Sequence, residues 1–223
     1  LKGLIKKWLK AGYLENNVFH KTMAGTPQGG IISPLLANIA LDGMEDALNI
    51  KYKQRKSKNG YTYVNKSKYA VIKYADDFVV ICETLKDANE VYELLDDYLK
   101  DRGLTLAPDK TRITHIGDGV DFLGYNIRCY KGQDRDRVLV KASKDSVKSF
   151  KSKVKEIVRK CYPWNLEESI TRLNYLINGT GNYWRIGSNS DLFKKMDNYI
   201  YEILLRQAKR WYPNKPVKWI VDK

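Results

Sequence analysis

The chain has 223 residues, of which 43% are hydrophobic and 30% are charged, with a formal net charge of +14; this is enough apolar sequence for one large domain or two small ones. Three cysteines without metal-ligand spacing argue against a disulfide framework or a zinc site and fit a reducing compartment. No apolar run approaches the roughly 20 residues that cross a bilayer, so we expect a cytoplasmic protein with no membrane partner.

The positive charge is concentrated in the second part of the chain. Residues 1–125 contain 18 Lys/Arg and 16 Asp/Glu, whereas residues 126–223 contain 22 and 10. This asymmetry predicts a near-neutral globular part joined to a part that binds a polyanion. Solvated lysine faces are the alternative interpretation.

In chain order, the first predicted element is a basic amphipathic helix over residues 1–11. The glycine- and proline-rich residues 25–30 indicate a tight turn. Ser33 is the expected N-cap of a second helix, whose buried stripe runs from Leu35 to Leu48. Residues 51–68 hold seven Lys/Arg and no acid, which indicates a mobile basic hairpin or loop.

Two β-rich runs then flank an acidic pair. Residues 69–74 and 78–82 are largely apolar, which predicts a buried hairpin with Asp76 and Asp77 at its tip. An amphipathic helix is expected over residues 87–102, ending at Gly103. Short strands are expected around residues 104–106, 112–115, 121–128 and 138–140.

From Ser143 onward the apolar pattern is helical and predicts three helices. The second begins with the capping pattern Asn165–Glu168 and ends before Gly179, and the third ends at Pro213. The predicted fold class is therefore α+β, with mixed strands and helices over residues 1–141 and an all-helical part over residues 142–223.

The adjacent carboxylates of Asp76 and Asp77 are the sharpest chemical signal. Asp is common in turns because its side chain binds the local backbone, so an ordinary turn is the alternative. Crowded carboxylates beside an apolar sheet are unfavourable unless a cation neutralises them. Mg²⁺ commonly combines one or two carboxylates with substrate phosphates, which favours a magnesium site.

Several segments, in the correct order, resemble the reverse transcriptases. Tyr74-Ala75-Asp76-Asp77 is similar to the YADD box, motif C of the polymerase palm, and residues 26–38 (TPQGGIISPLLAN) are similar to motif B. Residues 103–111 resemble motif D, and residues 121–125 resemble the motif E primer grip. Residues 181–185 (GNYWR) and 208–215 look like the thumb, or maturase domain X, of bacterial group II intron proteins.

This resemblance covers essentially the whole chain and implies a right-hand polymerase palm followed by a helical thumb. The implied palm is an antiparallel sheet packed on helices over residues 1–141, and the implied thumb is a three-helix unit over residues 142–223. The implied activity is RNA-directed DNA polymerisation by two-metal nucleotidyl transfer with Mg²⁺, together with assistance of intron splicing. The implied partners are a template or intron RNA, a DNA primer and deoxynucleotide triphosphates.

The resemblance also implies roles for individual residues. Asp76 and Asp77 would be catalytic metal ligands, and Lys110 would stabilise or protonate the leaving pyrophosphate unless it is simply a solvated lysine. The implied nucleotide-binding residues are Gln28, Gly29 and Gly30. The implied primer grip is Phe122, Leu123, Gly124 and Tyr125, some of which are also expected to be core strand residues.

The expected nucleic-acid contacts lie in the basic part. Four lysines at intervals of four, three and four share one helix face, predicted to lie opposite the apolar stripe, with a solvated face as the alternative. A track along a duplex backbone would add salt-sensitive affinity without sequence preference. The full set is Lys144, Lys148, Lys151, Lys155, Arg185, Lys209 and Arg210.

A complete polymerase palm has a further metal-binding aspartate in motif A, upstream of motif B, whereas the first aspartate here is Asp42. We therefore expect motif A and the fingers to be supplied in cis or in trans, and residues 1–223 alone to be inactive as a polymerase. Two alternatives stay open. One is an RNA-binding maturase without a polymerase role, and the other is a CRISPR-associated or phage-defence reverse transcriptase of the same lineage.

Overall fold

A computed structural model describes residues 2–15, 18–21, 33–57 and 60–221 of the chain. These residues form an α+β structure that divides into two compact units, residues 1–113 and residues 114–223. Each unit has its own hydrophobic core cluster. Among the described residues, no helix is both long enough and apolar enough to cross a membrane.

The first unit combines short helices with three separate antiparallel hairpins, which pair β1 with β2, β3 with β4, and β5 with β6. The predicted basic hairpin and the predicted hairpin with the acidic tip are both present. The prediction that the second hairpin is buried is wrong, because Ile72 and Ile81 are 49% and 53% exposed. The elements in chain order are α1 (Lys2–Leu9), β1 (Tyr13–Glu15), β2 (Val18–His20), α2 (Ser33–Ala40), α3 (Met44–Ala47), β3 (Tyr52–Ser57), β4 (Gly60–Asn65), β5 (Ala70–Tyr74), β6 (Asp77–Ile81) and α4 (Leu85–Lys100).

The core of the first unit lies between α4 and the residues around α3. Helix α4 is the predicted amphipathic helix, and it starts with a reciprocal capping box between Thr84 and Asp87. Its apolar stripe, which includes Val91 and Leu95, packs against Met44 and Leu48. Burial of this stripe explains why the helix forms here, because amphipathic packing provides most of the stability of a helix in a protein.

The predicted continuous helix from Ser33 to Leu48 is wrong. The chain leaves α2 after Ala40, passes through Gly43 at φ 84, and resumes as the short helix α3. Glycine adopts this left-handed conformation readily, and it redirects the chain so that only the second part faces the core. Leu35 and Ile39 are consequently 58% exposed each, whereas Met44 is buried.

The strands expected around residues 104–106 and 112–115 are also wrong, since these residues form turns and irregular backbone.

The second unit is a three-stranded antiparallel sheet, in the order β7-β8-β9, followed by helices. The strand expected at residues 121–128 is in fact two strands joined by a turn at residues 123–124. The elements in chain order are β7 (Val120–Phe122), β8 (Tyr125–Tyr130), β9 (Arg137–Ala142), α5 (Lys144–Arg159), a 3₁₀ turn (Pro163–Asn165), α6 (Leu166–Trp184), α7 (Ser190–Trp211) and α8 (Val217–Val221).

The sheet and the helices of the second unit share one core. Val154 of α5 is fully buried, and Phe150 meets Trp184 of α6 edge to face with ring centroids 5.4 Å apart. Tyr125 of β8 belongs to the same cluster, and Val140 of β9 packs against it. Burial of these side chains therefore stabilises the sheet and the helices together. The functional division at residues 141 and 142 stays a prediction.

Two details of the helices differ from the sequence prediction. Helix α6 does not end before Gly179 but continues to Trp184, because a glycine inside a helix costs only about 0.5–1 kcal/mol and the burial of Trp184 offsets it. Asn165 does not cap α6 through its side chain. Its Oδ1 accepts from the Tyr162 amide at 2.7 Å and its Nδ2 donates to the Lys160 carbonyl at 3.0 Å, so it stabilises the preceding turn instead.

Candidate active site

The acidic pair lies at the tip of the β5–β6 hairpin. Tyr74 pairs with Asp77, which leaves Ala75 and Asp76 as a two-residue turn. Strand periodicity places Phe78 and Val80 on the face that packs on the core. Asp77 lies on the opposite face together with Tyr74, its partner across the hairpin. Both carboxylates are exposed to solvent. The hairpin therefore presents two carboxylates on an anchored support.

Two hydrogen bonds fix the support of this hairpin within the first unit. The Lys73 ammonium donates to the carbonyl of Leu41, just after α2, at 3.2 Å. The Tyr98 hydroxyl of α4 donates to the carbonyl of Asp42 at 2.7 Å. The hairpin and α4 are thereby both tied to the residues just after α2, a helix whose first part belongs to the segment similar to motif B.

Asp76 and Asp77 fit part of a magnesium site. Carboxylate oxygens are hard ligands of the kind that Mg²⁺ prefers, and exposure leaves room for substrate phosphates and water. In the described ranges, neither carboxylate forms an ion pair. Among the same residues, no group of three His, Cys, Asp or Glu side chains could hold a metal ion. The pair therefore offers two ligands and needs a further one.

The other residues predicted for this site are Lys110 and a nucleotide-binding segment. Lys110 lies in a turn whose backbone amide donates to the carbonyl of Ala107 at 3.1 Å, and its side chain is exposed. Within the described part of the chain, no ion pair joins Lys110 to Asp76 or Asp77. The predicted nucleotide-binding residues Gln28, Gly29 and Gly30 lie outside the described residues.

The residues predicted as the primer grip form the turn between β7 and β8. Leu123 has φ 48 and Gly124 has φ 73, the double left-handed conformation of a type I′ hairpin turn. Glycine is required at the second position for a further reason, because a Cβ there would lie 2.8 Å from the Ser146 hydroxyl. Phe122 and Leu123 are half-buried, whereas the Tyr125 ring is buried in the core.

This turn is held by side chains from α5 and α6. The Tyr183 hydroxyl donates to the Leu123 carbonyl at 2.6 Å, and the Tyr125 hydroxyl donates to the Tyr183 carbonyl. The Gly124 carbonyl accepts from the Ser143 amide and from the Ser146 hydroxyl, both at 2.9 Å. Burial raises the pKa of Tyr125, so its hydroxyl stays a donor.

Sequence reasoning missed Tyr183 as a partner of this turn, although it lies in the segment GNYWR. No local pattern reveals a contact between residues 60 positions apart. The available signal was a polar aromatic residue in a helix that must pack on the sheet, since a Tyr side chain combines an apolar ring with a hydroxyl that can donate a hydrogen bond.

The basic residues of the second unit are mostly exposed. Lys144, Lys148 and Lys155 are exposed on α5, but Lys151 is half-buried and its ammonium lies 5.0 Å from the centroid of the Tyr199 ring. Helical geometry at 3.6 residues per turn puts this row beside the buried stripe. The prediction that it lies opposite the stripe is therefore wrong. Arg185, Lys209 and Arg210 are exposed at the ends of α6 and α7.

Comparison with known protein families agrees with this arrangement. Residues 1–127 match the family described as reverse transcriptase (RNA-dependent DNA polymerase). The chain belongs to the reverse transcriptase family. Residues 147–223 match the maturase-specific domain of group II introns. The predicted resemblance to reverse transcriptases and maturases of group II introns is thus confirmed.

Curated relatives of this chain include intron-encoded proteins. It is 34% identical over 146 residues to protein YkfC of Escherichia coli strain K12, covering 56% of this chain and 38% of YkfC. It is 33% identical over 174 residues to the group II intron-encoded protein LtrA of Lactococcus lactis subsp. cremoris, covering 56% of this chain and 29% of LtrA. It is 26% identical over 181 residues to the putative COX1/OXI3 intron 2 protein of Saccharomyces cerevisiae, covering 62% of this chain and 21% of the yeast protein. The chain thus spans between 21% and 38% of the length of these relatives.

Proposed function

We propose that this chain contributes part of the active site of an RNA-directed DNA polymerase that extends a DNA primer on an RNA template. The observation that carries the proposal is the acidic turn, in which Asp76 and Asp77 are exposed on a hairpin anchored in the core. Ala75 has φ 54, where a turn that only reverses the chain would favour glycine. A residue kept in such a conformation is typical of functional sites.

The protein residues act mainly by positioning and electrostatics in this reaction. Bound Mg²⁺ would supply charge neutralisation at the attacking and leaving oxygens. Asp76 would be the principal ligand and Asp77 a helper nearer the outer coordination shell. Lys110 would stabilise or protonate the leaving pyrophosphate, and Gln28, Gly29 and Gly30 would lie beside the incoming nucleotide.

The third carboxylate of the site is proposed to come from a motif A strand outside residues 1–223. Within the described residues, β5 and β6 form only a two-stranded sheet, so neither strand is paired along its outer edge. Ile72, Tyr74 and Ile81 leave large apolar surface exposed on this hairpin. A further palm strand would extend the ladder and bring the missing ligand. Without it, residues 1–223 alone are proposed to be inactive as a polymerase.

The second unit would hold the primer and the duplex. The turn at Leu123 and Gly124 is held in place from both sides, so its surface can serve as the primer grip, while the buried ring of Tyr125 supports it. The exposed cations Lys144, Lys148 and Lys155 would follow phosphates on a duplex backbone. Arg185, Lys209 and Arg210 would add further phosphate contacts.

A second candidate function is splicing assistance through intron RNA binding. It is favoured by the maturase-specific match over residues 147–223 and by the 22 Lys/Arg against 10 Asp/Glu in residues 126–223. This function does not require the carboxylates of Asp76 and Asp77. An Asp76→Asn enzyme that still stimulates intron splicing would separate it from polymerisation, and the gene neighbourhood would separate an intron from a CRISPR or defence context.

The test of the polymerase proposal is Asp76→Asn in an enzyme that joins residues 1–223 to the upstream palm segment. The rate of primer extension on an RNA template should fall by several orders of magnitude, because charge stabilisation is lost at the reacting phosphate. The affinity for the template should stay within about twofold, because Asn keeps the shape of the side chain.

Asp101→Asn is the matched control. Asp101 is an exposed carboxylate at the end of α4 in the same unit, and its replacement should leave the extension rate unchanged. Binding of Mn²⁺ to each variant gives a readout besides activity and should weaken only for Asp76→Asn. Extension at the wild-type rate in Asp76→Asn would refute the proposal.

A further inference from the structure

The basic hairpin β3–β4 carries three tyrosines on one face. Gln54 pairs with Tyr63 and Lys56 pairs with Tyr61, while Tyr52 lies two residues before Gln54 on the same face. The exposed fractions are 46% for Tyr52, 64% for Tyr61 and 69% for Tyr63. Large aromatic side chains contribute little to folding when they are left in water at this level, so packing does not account for them.

The hairpin projects from an anchored base. Ser67 accepts from the Lys51 amide at 2.5 Å, and Asn65 donates to the Tyr69 carbonyl at 2.7 Å. The Tyr52 hydroxyl donates to the Glu45 carboxylate at 3.3 Å, which ties this tyrosine to the base. Beyond the base, residues 53–56 and 60–63 are exposed. Tyr61 and Tyr63 are therefore presented outward on a held support, with no ring partner in the described part of the chain.

The charge of the hairpin has one sign. Residues 51–68 contain seven Lys/Arg and no acid. Lys68 pairs with Asp87 at 2.5 Å and with Glu90 at 3.1 Å. In contrast, Lys53, Arg55 and Lys56 form no ion pair with any other described residue. Of these three cations, Lys56 lies on the same face as Tyr61 and Tyr63, whereas Lys53 and Arg55 lie on the opposite face. An unpaired cation beside exposed rings matches the two features of an unpaired nucleic acid, its phosphates and the faces of its bases.

We propose that the tyrosine face of β3–β4 binds an unpaired stretch of RNA, with bases stacked on Tyr61 and Tyr63 and a phosphate met by Lys56. Residues two apart on a strand are about 6.6 Å apart, so Tyr61 and Tyr63 offer two separate rings along one strand. A duplex hides the faces of its bases, so only unpaired RNA can use both rings. The choice of RNA as the polymer rests on the proposed function, whereas the stacking surface does not.

The test is the double substitution Tyr61→Ala and Tyr63→Ala in the 223-residue chain. Fluorescence anisotropy would compare an unstructured RNA of about 12 nucleotides with an RNA duplex of the same sequence. The affinity for the single strand should fall about tenfold or more, because stacking of each base is lost. The affinity for the duplex should change by less than about twofold.

Two further variants separate stacking from other causes. Tyr61→Phe with Tyr63→Phe keeps both rings and should restore single-strand binding. Tyr92→Ala removes an exposed tyrosine from α4 in the same unit and should leave binding of both RNAs unchanged. The midpoint of thermal unfolding should be the same for all variants, because the rings of Tyr61 and Tyr63 make no core contact.

The proposal is overturned if the double alanine variant binds the single strand as tightly as the wild type, which would leave a protein as the partner of this face. It is equally overturned if both RNAs lose affinity by the same factor, since that would mean a loss unrelated to stacking. The polymerase proposal is independent of this result, because it is judged by primer extension with Asp76→Asn.

Discussion

Two glycines in the second unit differ in whether the surrounding structure requires a glycine. Gly124 has φ 73 in the turn between β7 and β8, and a Cβ there would lie 2.8 Å from the Ser146 hydroxyl. Gly179 lies inside α6, where an added Cβ would meet nothing within 4 Å. The first glycine is required by backbone conformation and by space, whereas the second only lowers the helix propensity.

The same substitution should therefore have opposite effects at these positions. Gly124→Ala should lower the free energy of unfolding by about 1–2 kcal/mol because an L residue is disfavoured at this φ. Gly179→Ala should raise it by about 0.5–1 kcal/mol because alanine loses less conformational entropy in a helix. Urea unfolding of the two variants measures both changes, and a stabilised Gly124→Ala protein would show that the turn is not fixed as described.

For individual residues, the local sequence pattern was sufficient to predict the position of some site residues but not of others. The position of Asp76 and Asp77 at a hairpin tip follows from the β-rich runs on either side, and the structure has that hairpin. The hydrogen bond from Tyr183 to Leu123 joins two elements distant in sequence, so no periodicity reveals it. Lys110 lies in irregular backbone, where neither periodicity nor capping fixes the direction of a side chain.

At the scale of single elements, substitutions in α5 can show whether its exposed lysines bind nucleic acid or are only solvated. Three lysines of α5 are exposed, namely Lys144, Lys148 and Lys155. The ammonium of Lys151 lies over the ring of Tyr199, so Lys151 is not substituted. Replacement of the three exposed lysines by Gln keeps the helix propensity nearly constant. The slope of log affinity for an RNA–DNA duplex against log salt should flatten by about 2–3 units, at about 0.7–0.9 per phosphate contact.

The control for this prediction is a triple Gln replacement of Lys6, Lys7 and Lys10, which are exposed in the first unit. It changes the net charge equally but removes no cation from α5, so the salt slope should stay close to that of the wild type. An equal change of slope in both triple variants would show that only net charge matters. No change in the α5 variant would show that this face is merely solvated.

Elements with clear signals at both ends were predictable from sequence. Helix α4 has a capping residue, Thr84, before it and a glycine at φ 68, Gly103, after it, so its bounds are close to those expected. Isolated glycines inside a helical pattern misled the prediction in both directions. Gly43 breaks the helical run between α2 and α3, whereas Gly179 continues α6, and only tertiary packing decides between the two outcomes.

For the whole molecule, the charge distribution and the family matches support the proposed separation of a catalytic site from a nucleic-acid-binding surface. Residues 1–127 match the reverse transcriptase family and contain Asp76 and Asp77, while residues 147–223 match the maturase-specific domain and lie in the strongly basic part. The α+β class was predictable from the change of apolar period near residue 143. The inclusion of the β7–β9 sheet in the core of the helical unit was not, because Tyr125 reads as an ordinary strand residue.

The most direct test of the central claim is primer extension on an RNA template by residues 1–223, alone and together with an upstream palm segment that carries the motif A aspartate. We expect no extension above background from the isolated chain, and Mg²⁺-dependent extension when the upstream segment is supplied, since two carboxylates alone cannot hold two metal ions. The isolated chain should still bind an RNA–DNA duplex. Robust extension by residues 1–223 alone would contradict the account, because the third carboxylate would then lie within this chain.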